Sequence, residues 1–187
     1  MTRVIAGKWK GRRLLTPEGM ATRPTTDRCK EALFGVIQFE LSDVSFLDLF
    51  AGSGGIGIEA LSRGAKSLDL VEQDPRAAAV VRQNLSGLGA KDQSSLHIMS
   101  CERAIAMFSA ARKQFDIVFM DPPYHQGYEQ TIGQMVSDMT LLKEGGLLII
   151  ESASDTDVSV SGLTLEKVKT YKTTRFSFFR NPHGGSV

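Results

Sequence analysis

The chain has 187 residues, with 22 Lys and Arg against 21 Asp and Glu, 42% hydrophobic residues, 18 glycines and 6 prolines, a balance that excludes disordered, collagenous and coiled-coil chains. One core fits this length, and two full domains would be cramped. No apolar run approaches the roughly 18 residues that cross a bilayer, and the start MTRVIAGKWKGRR shows no apolar stretch to read as a signal peptide, so a cytoplasmic protein with no membrane partner is expected.

The near-neutral total conceals an asymmetry. The first thirty residues hold eight basic groups (Arg3, Lys8, Lys10, Arg12, Arg13, Arg23, Arg28, Lys30) against Glu18 and Asp27, a net +6, and the other 157 residues carry −5. A basic leader on an acidic body points to a polyanionic partner, because clustered cations focus a field that phosphates neutralise. Within that leader, residues 3–16 read as two short apolar pieces around Gly-Lys-Trp-Lys-Gly, the pattern of a β-hairpin. Lys8, Lys10, Arg12 and Arg13 are its candidate contacts to such a polyanion, and Trp9 could stack on a nucleic-acid base or pack within the hairpin.

After a loop with Pro and Gly, Thr25 or Thr26 can cap a helix whose Cys29, Leu33, Val36 and Ile37 share one stripe. Cys29 is then a core thiol. Cys29 and Cys101 lie far apart with no ligand-spaced partner, which suggests neither a disulfide nor a zinc site.

From residue 46 short apolar strands alternate with helical segments. They are 46–50 and a helix, 67–72 and a helix, 95–99 and a helix, 115–120 and a helix near 128–142, then 146–151. This alternation predicts a doubly wound α/β fold with helices on both faces of a parallel sheet. Segments 163–171 and 173–179 follow without a helix and would close it as an antiparallel hairpin, giving seven strands, mostly parallel. The expected organisation is a hairpin-and-helix extension over 1–42, a main domain over 43–180 and a tail over 181–187.

Two motifs carry chemistry. Asp48-Leu-Phe-Ala-Gly52-Ser-Gly54-Gly-Ile-Gly57 follows the first central strand and opens a helix. Glycines are needed where backbone turns tightly and approaches a ligand without Cβ atoms in the way. Glu72, twenty positions after Gly52 at the end of the next strand, could accept from both hydroxyls of a ribose. A nucleoside-containing cofactor follows. Asp48 could receive the α-ammonium of a methionyl group, which NAD cannot offer, and no Gly-Lys-Ser/Thr follows to make a phosphate loop.

The second motif, Asp121-Pro122-Pro123-Tyr124, follows the apolar strand FDIVFM and so falls at the carboxyl edge of the sheet. The prolines stiffen the backbone and leave their carbonyls as fixed acceptors. A carboxylate, a rigid carbonyl and an aromatic ring suit the exocyclic amine of a flat base: Asp121 and the Pro122 carbonyl accept its two N–H groups while Tyr124 stacks. His97, on a strand, reads as structural, His125 as a loop residue and His183 as part of the tail.

These motifs resemble a known family. Asp-Pro-Pro-Tyr after D-x-F-A-G-S-G is the pattern of S-adenosylmethionine-dependent amino methyltransferases. Together with R-V-I-A-G-K-W-K-G-R-R-L from Arg3 and R-P-T-T-D-R from Arg23, it is similar to the bacterial 16S rRNA guanine-N2 methyltransferase family over nearly the whole chain. The resemblance implies transfer of a methyl group to N2 of one guanine of small-subunit rRNA, with S-adenosylhomocysteine as second product and no metal. The partner it implies is 16S rRNA or an assembling small subunit, and a monomer is expected. Asp48, Gly52, Gly54 and Glu72 would hold the cofactor, Arg23, Thr25 and Thr26 would sit near its methionyl end, and Asp121, Pro122 and Tyr124 would position the amine.

One position departs from the pattern. Where the family carries Asp or Asn for the adenine amino group, the aligned residue is Cys101, and a thiol is a poor substitute, so that contact falls to a backbone group or to Glu102. The competing readings are a DNA or tRNA amino methyltransferase on the same scaffold, a catalytically silent RNA-binding protein, which would have no need of Asp121, and an NAD oxidoreductase, which would leave Asp-Pro-Pro-Tyr idle.

Overall fold

The computed structural model describes residues 2–17, 26–124 and 126–182, in two compact units, residues 1–100 and 101–187. Arg23 and Thr25, like His125 and His183, lie outside the described residues.

In the first unit Thr2–Arg3 (β1) and Arg13–Leu14 (β2) pair antiparallel, the hairpin the leader predicts. Thr26 caps α1, Asp27–Ile37, its hydroxyl accepting the Cys29 N–H at 3.3 Å. The buried face of α1 is Cys29, Lys30, Leu33, Phe34 and Ile37. Val36, expected in that stripe, is only half-buried, because the apolar face turns toward Phe34, which packs under the Arg63 guanidinium 4.8 Å from its ring centre.

Alternation then takes over: β3 (Ser45–Asp48), α2 (Gly55–Ser62), β4 (Ser67–Val71), α3 (Pro75–Gly87), a 3-10 turn (Lys91–Gln93) and β5 (Ser94–His97). The three strands are parallel in the order β5-β4-β3. α3 starts where Asp74 accepts the Arg76 N–H at 2.9 Å and Pro75 takes the first helical position, where a missing N–H costs nothing.

All eight residues of α2 are buried, Glu59 among them, because the hairpin covers one side of it. Glu59 accepts the N–H groups of Ile5 and Ala6 at 2.8 and 2.9 Å and pairs with Arg63 at 2.8 Å. Ser62 accepts from Lys8 N through its carbonyl and from Trp9 N through its hydroxyl, which donates to the Ala6 carbonyl. A Cβ on Gly7 (φ +80°) would stand 1.8 Å from the Ser62 carbonyl oxygen, so only glycine permits this approach. The fully buried Lys30 donates to the Arg3 carbonyl at 2.8 Å, and burial holds its pKa below the usual lysine range despite the nearby Glu59.

The second unit contains α4 (Cys101–Ala110), β6 (Phe115–Met120), α5 (Tyr128–Asp138), β7 (Leu142–Ala153), β8 (Thr164–Tyr171) and β9 (Thr174–Arg180). The helix expected over 128–142 stops at Asp138, since Thr140 takes φ +52° and the chain swings into β7 at Leu142. β6 and β7 are parallel, and β9 pairs antiparallel with both β7 and β8. The seven-stranded sheet has the order β5-β4-β3-β6-β7-β9-β8, mostly parallel with an antiparallel hairpin at one edge, the expected fold class. No helix among the described residues is long and apolar enough to cross a membrane.

Candidate functional site

The glycine turn is built by the end of β3 and the start of α2. Asp48 is 1% exposed, and its two carboxylate oxygens accept the N–H groups of Phe50 and Gly57, each at 3.3 Å. It therefore caps the first turn of α2. The Ala51 N–H donates to the Val71 carbonyl at 2.9 Å, which stitches the turn to β4.

Glu72 lies just beyond β4 with one oxygen on the Gly52 N–H at 2.8 Å and the other on the Asp74 N–H at 2.9 Å. Gly52 and Glu72, twenty residues apart in sequence, are thus in direct contact. Two backbone donors fix the carboxylate, and each oxygen keeps a further lone-pair direction. Gly52 has φ +56°, and no heavy atom stands within 4 Å of where its Cβ would be. Space for a ligand therefore opens beside a fixed carboxylate, which fits a nucleoside with two ribose hydroxyls. Gly54, at φ +79°, is the N-cap of α2. Gly57 serves packing instead: a Cβ there would come within 2.7 Å of Leu68.

Asn84 was missed in the motif reading. From the buried face of α3 its amide donates to the Ser53 carbonyl at 2.9 Å and to the Leu15 carbonyl at 3.0 Å, and its carbonyl accepts the Leu15 N–H at 2.8 Å. It ties the glycine turn to the chain leaving the hairpin. The available signal was a polar residue in line with Ala77, Val81 and Leu85 on an otherwise apolar stripe.

The other predicted residues divide. The Thr26 hydroxyl is occupied as a helix cap. Cys101 begins α4, and burial, with Glu102 beside it, pushes its thiol up to about 12, so it is neutral. His97 sits 2.8 Å from the buried Asp69, a structural pairing as expected. Trp9 is half-buried with Lys8 Nζ 4.1 Å from its ring centre. Lys8 also donates to Gln93, and Arg12 donates to the Gly87 carbonyl. Lys10 and Arg13 are exposed and have no ion pair among the described residues.

In the second unit Asp121 follows β6 directly, and Pro122 behind it is buried. Burial, reinforced by Glu129 on the first turn of α5, pushes the Asp121 carboxyl up to about 7. Tyr124 donates its hydroxyl to Glu151 of β7 at 3.4 Å. Burial and that carboxylate push the phenol above its ordinary range. Glu129 and Glu151 are 3% and 4% exposed, and each has one carboxylate oxygen without a hydrogen-bond donor among the described residues. Acceptors are concentrated here, an environment that favours N–H donors and developing positive charge.

The hydroxyl tether has a testable consequence. Tyr124→Phe keeps the ring and is expected to hold activity within a few-fold while lowering the melting temperature, since a buried acceptor loses a donor. Tyr124→Ala takes away the ring that the motif reading stacks on the base, a contact that would be worth about 1 to 3 kcal/mol, and on that reading it is expected to slow turnover about 5- to 150-fold. Steady-state rates and thermal melts separate the two.

Residues 2–180 match the family described as Conserved hypothetical protein 95. Over 180 residues the chain is 32% identical to the Ribosomal RNA small subunit methyltransferase D of Haemophilus influenzae, covering 96% of this chain and 93% of that one. The hypothetical protein TTHA0928 of Thermus thermophilus has the same fold, with a TM-score of 0.83 and 27% identity over 95% of this chain and 98% of that chain. At 14% identity the fold is also that of an RNA methyltransferase from Salinibacter ruber in complex with S-adenosyl-L-homocysteine, with a TM-score of 0.66 over 88% of this chain and 97% of that one. With the motifs, the fold and the match along the chain in agreement, this protein belongs to the Conserved hypothetical protein 95 family and is a methyltransferase of the kind represented by the small-subunit ribosomal RNA methyltransferases D.

Proposed function

We propose that the protein transfers a methyl group from S-adenosylmethionine to the exocyclic N2 of one guanine of small-subunit ribosomal RNA. The observation that carries this reading is the acceptor-rich surrounding of Asp121-Pro122-Pro123-Tyr124, where Asp121 stands with the buried Glu129 and a tyrosine is tethered to the buried Glu151. Such a site suits an amine that gains positive charge as it reacts. The likeness to ribosomal RNA methyltransferases supports rRNA as the polymer.

When bound, S-adenosylmethionine supplies an electrophilic methyl group on a sulfonium. The residues of the chain do the rest. Glu72 would accept from the ribose hydroxyls while Gly52 leaves the approach clear, and Asp48, buried and held by the Phe50 and Gly57 N–H groups, would fix the turn beside the methionyl end. Asp121 and the Pro122 carbonyl accept the two N–H groups of the guanine amine and orient its lone pair, and Tyr124 stacks on the base. Methyl transfer would form the N2–carbon bond as the sulfur–carbon bond pair leaves with sulfur, and N2 would then release one proton. A carboxyl near 7 can take that proton at Asp121 Oδ.

Incubation with labelled S-adenosylmethionine and ribosomal RNA from a strain lacking the enzyme, followed by nucleoside analysis, tests this. Label in N2-methylguanosine is expected, and replacing the target guanine with inosine, which lacks the 2-amino group, is expected to abolish it. Label in another nucleoside, or only in DNA or tRNA, overturns the reading.

The basic leader supplies RNA affinity in this scheme. Neutralising Lys8, Lys10, Arg12 and Arg13 is expected to weaken RNA binding and to reduce the log-log salt slope by about 0.7 to 0.9 for each phosphate that the arm no longer touches, with cofactor affinity unchanged. Lys10 and Arg13, whose side chains make no hydrogen bond or ion pair among the described residues, whereas Lys8 and Arg12 are held by Gln93 and the Gly87 carbonyl, should account for most of the change. A salt titration of RNA binding measures it.

A further inference from the structure

Strand β8 is exposed on both faces along its length except at Tyr171, and it ends the sheet order, so one of its edges pairs with no strand of the sheet. Its charge is distinctive. Residues 121–166 carry eight acidic groups against the single base Lys143, whereas residues 167–175, KVKTYKTTR, carry three lysines and an arginine and no acid.

Neighbouring ion pairs sharpen this contrast. Glu166 is neutralised by Arg180 at 2.9 Å, and Arg175 is paired with Asp157. Lys167, Lys169 and Lys172 are exposed with no ion pair among the described residues. Lys167 and Lys169 lie opposite Phe178 and Phe176 of β9, and Tyr171 lies opposite Thr174, so all three side chains share one face. Two residues along a strand span about 6.6 Å, which matches the spacing of charges along one nucleic-acid strand. At the tip, the two-residue turn holds Lys172 at φ +54°, a left-handed conformation in which Asn or Gly would be unstrained.

We propose that the β8–β9 hairpin is a second RNA-binding surface, in which Lys167, Lys169 and Lys172 contact consecutive backbone phosphates and Tyr171 offers a ring to an adjoining base. The proposal rests on the rRNA reading above and adds a contact distant in sequence from the basic leader. Edge lysines also protect a sheet from pairing with another sheet. Charge reversal separates the two roles, because glutamate guards an edge as well as lysine does but repels phosphate.

The triple variant K167E/K169E/K172E is expected to bind an rRNA fragment at least tenfold more weakly, with the salt slope reduced by about 2 to 3. Its S-adenosylmethionine affinity and sedimentation are expected to match those of the native protein. The single change Lys172→Asn relieves the turn, so it is expected to raise the melting temperature while still weakening RNA binding, which an unfolding effect cannot do. Unchanged RNA affinity and salt slope in the triple variant overturn the proposal, as does association of the triple variant into larger species with RNA binding retained. A native protein that binds rRNA through these lysines yet methylates none overturns the functional reading and leaves this surface standing.

Discussion

Asp121→Ala is expected to lower methyl transfer by about 10² to 10³ or more while S-adenosylmethionine still binds, because in the proposed mechanism its carboxylate matters most as charge develops on the amine nitrogen. Single-turnover transfer and calorimetry of the cofactor read the two quantities separately, and loss of both would mean that Asp121 holds the cofactor instead. The raised pKa adds a pH dependence. Below about 7 the carboxyl is protonated and is a weaker acceptor, so the rate should rise with pH through about 7 and level off above it. Asp121→Asn should lose that limb.

Stability should move the other way. A carboxyl that holds its proton more tightly folded than unfolded stabilises the protein fully below about 3.9, the ordinary aspartate value, and that contribution is lost as pH rises through about 7. Asp121→Asn, neutral at every pH, is therefore expected to melt above the native protein at pH 8 and to lose that advantage at pH 4. Thermal melts at the two values check the sign.

Gly52→Asp is expected to remove cofactor binding from a folded protein. Aspartate at φ +56° carries some backbone strain but tolerates the left-handed region better than most residues, and beyond its chain neighbours no heavy atom lies within 4 Å of its Cβ, so a thermal melt of the variant is expected to show a folded, somewhat less stable protein. The new carboxylate would fill the open space and repel Glu72, whose oxygen already lies 2.8 Å from the Gly52 nitrogen. A loss of at least about 100-fold, or about 2.7 kcal/mol, is expected. Gly52→Asn, of similar shape without the charge, should lose less, and calorimetry on both separates repulsion from bulk. Unchanged affinity in both would make the turn purely structural.

Much of this was legible in the sequence because the signals were local. FDIVFM became β6 residue for residue, and the glycines announced the turn before α2. The spacing from Gly52 to Glu72 anticipated a contact the structure makes directly. What escaped depended on distant partners. Glu59, Asn84, Glu129 and Glu151 read as ordinary polar residues of helices and strands, and only tertiary packing makes them buried acceptors or clamps. The end of α5 was missed for a similar reason: residues 139–142 continue an apolar pattern, and a left-handed Thr140 breaks it. The lysines of β8 alternate with apolar residues as in any edge strand, and their isolation from acidic partners became visible only with Glu166 and Asp157 engaged elsewhere.

The docking of the hairpin on α2 also limits how the leader can be studied. Glu59 is wholly buried and receives its backbone donors from Ile5 and Ala6. Deleting the first dozen residues would strip both donors from that carboxylate, leave it leaning on Arg63 and expose the apolar side of α2. A truncated chain would therefore fail by misfolding before its RNA affinity could be measured. The same bonds pre-form the basic arm, so the RNA contact proposed for it would carry no ordering cost of a disordered tail, and its association should be fast and governed by ionic strength.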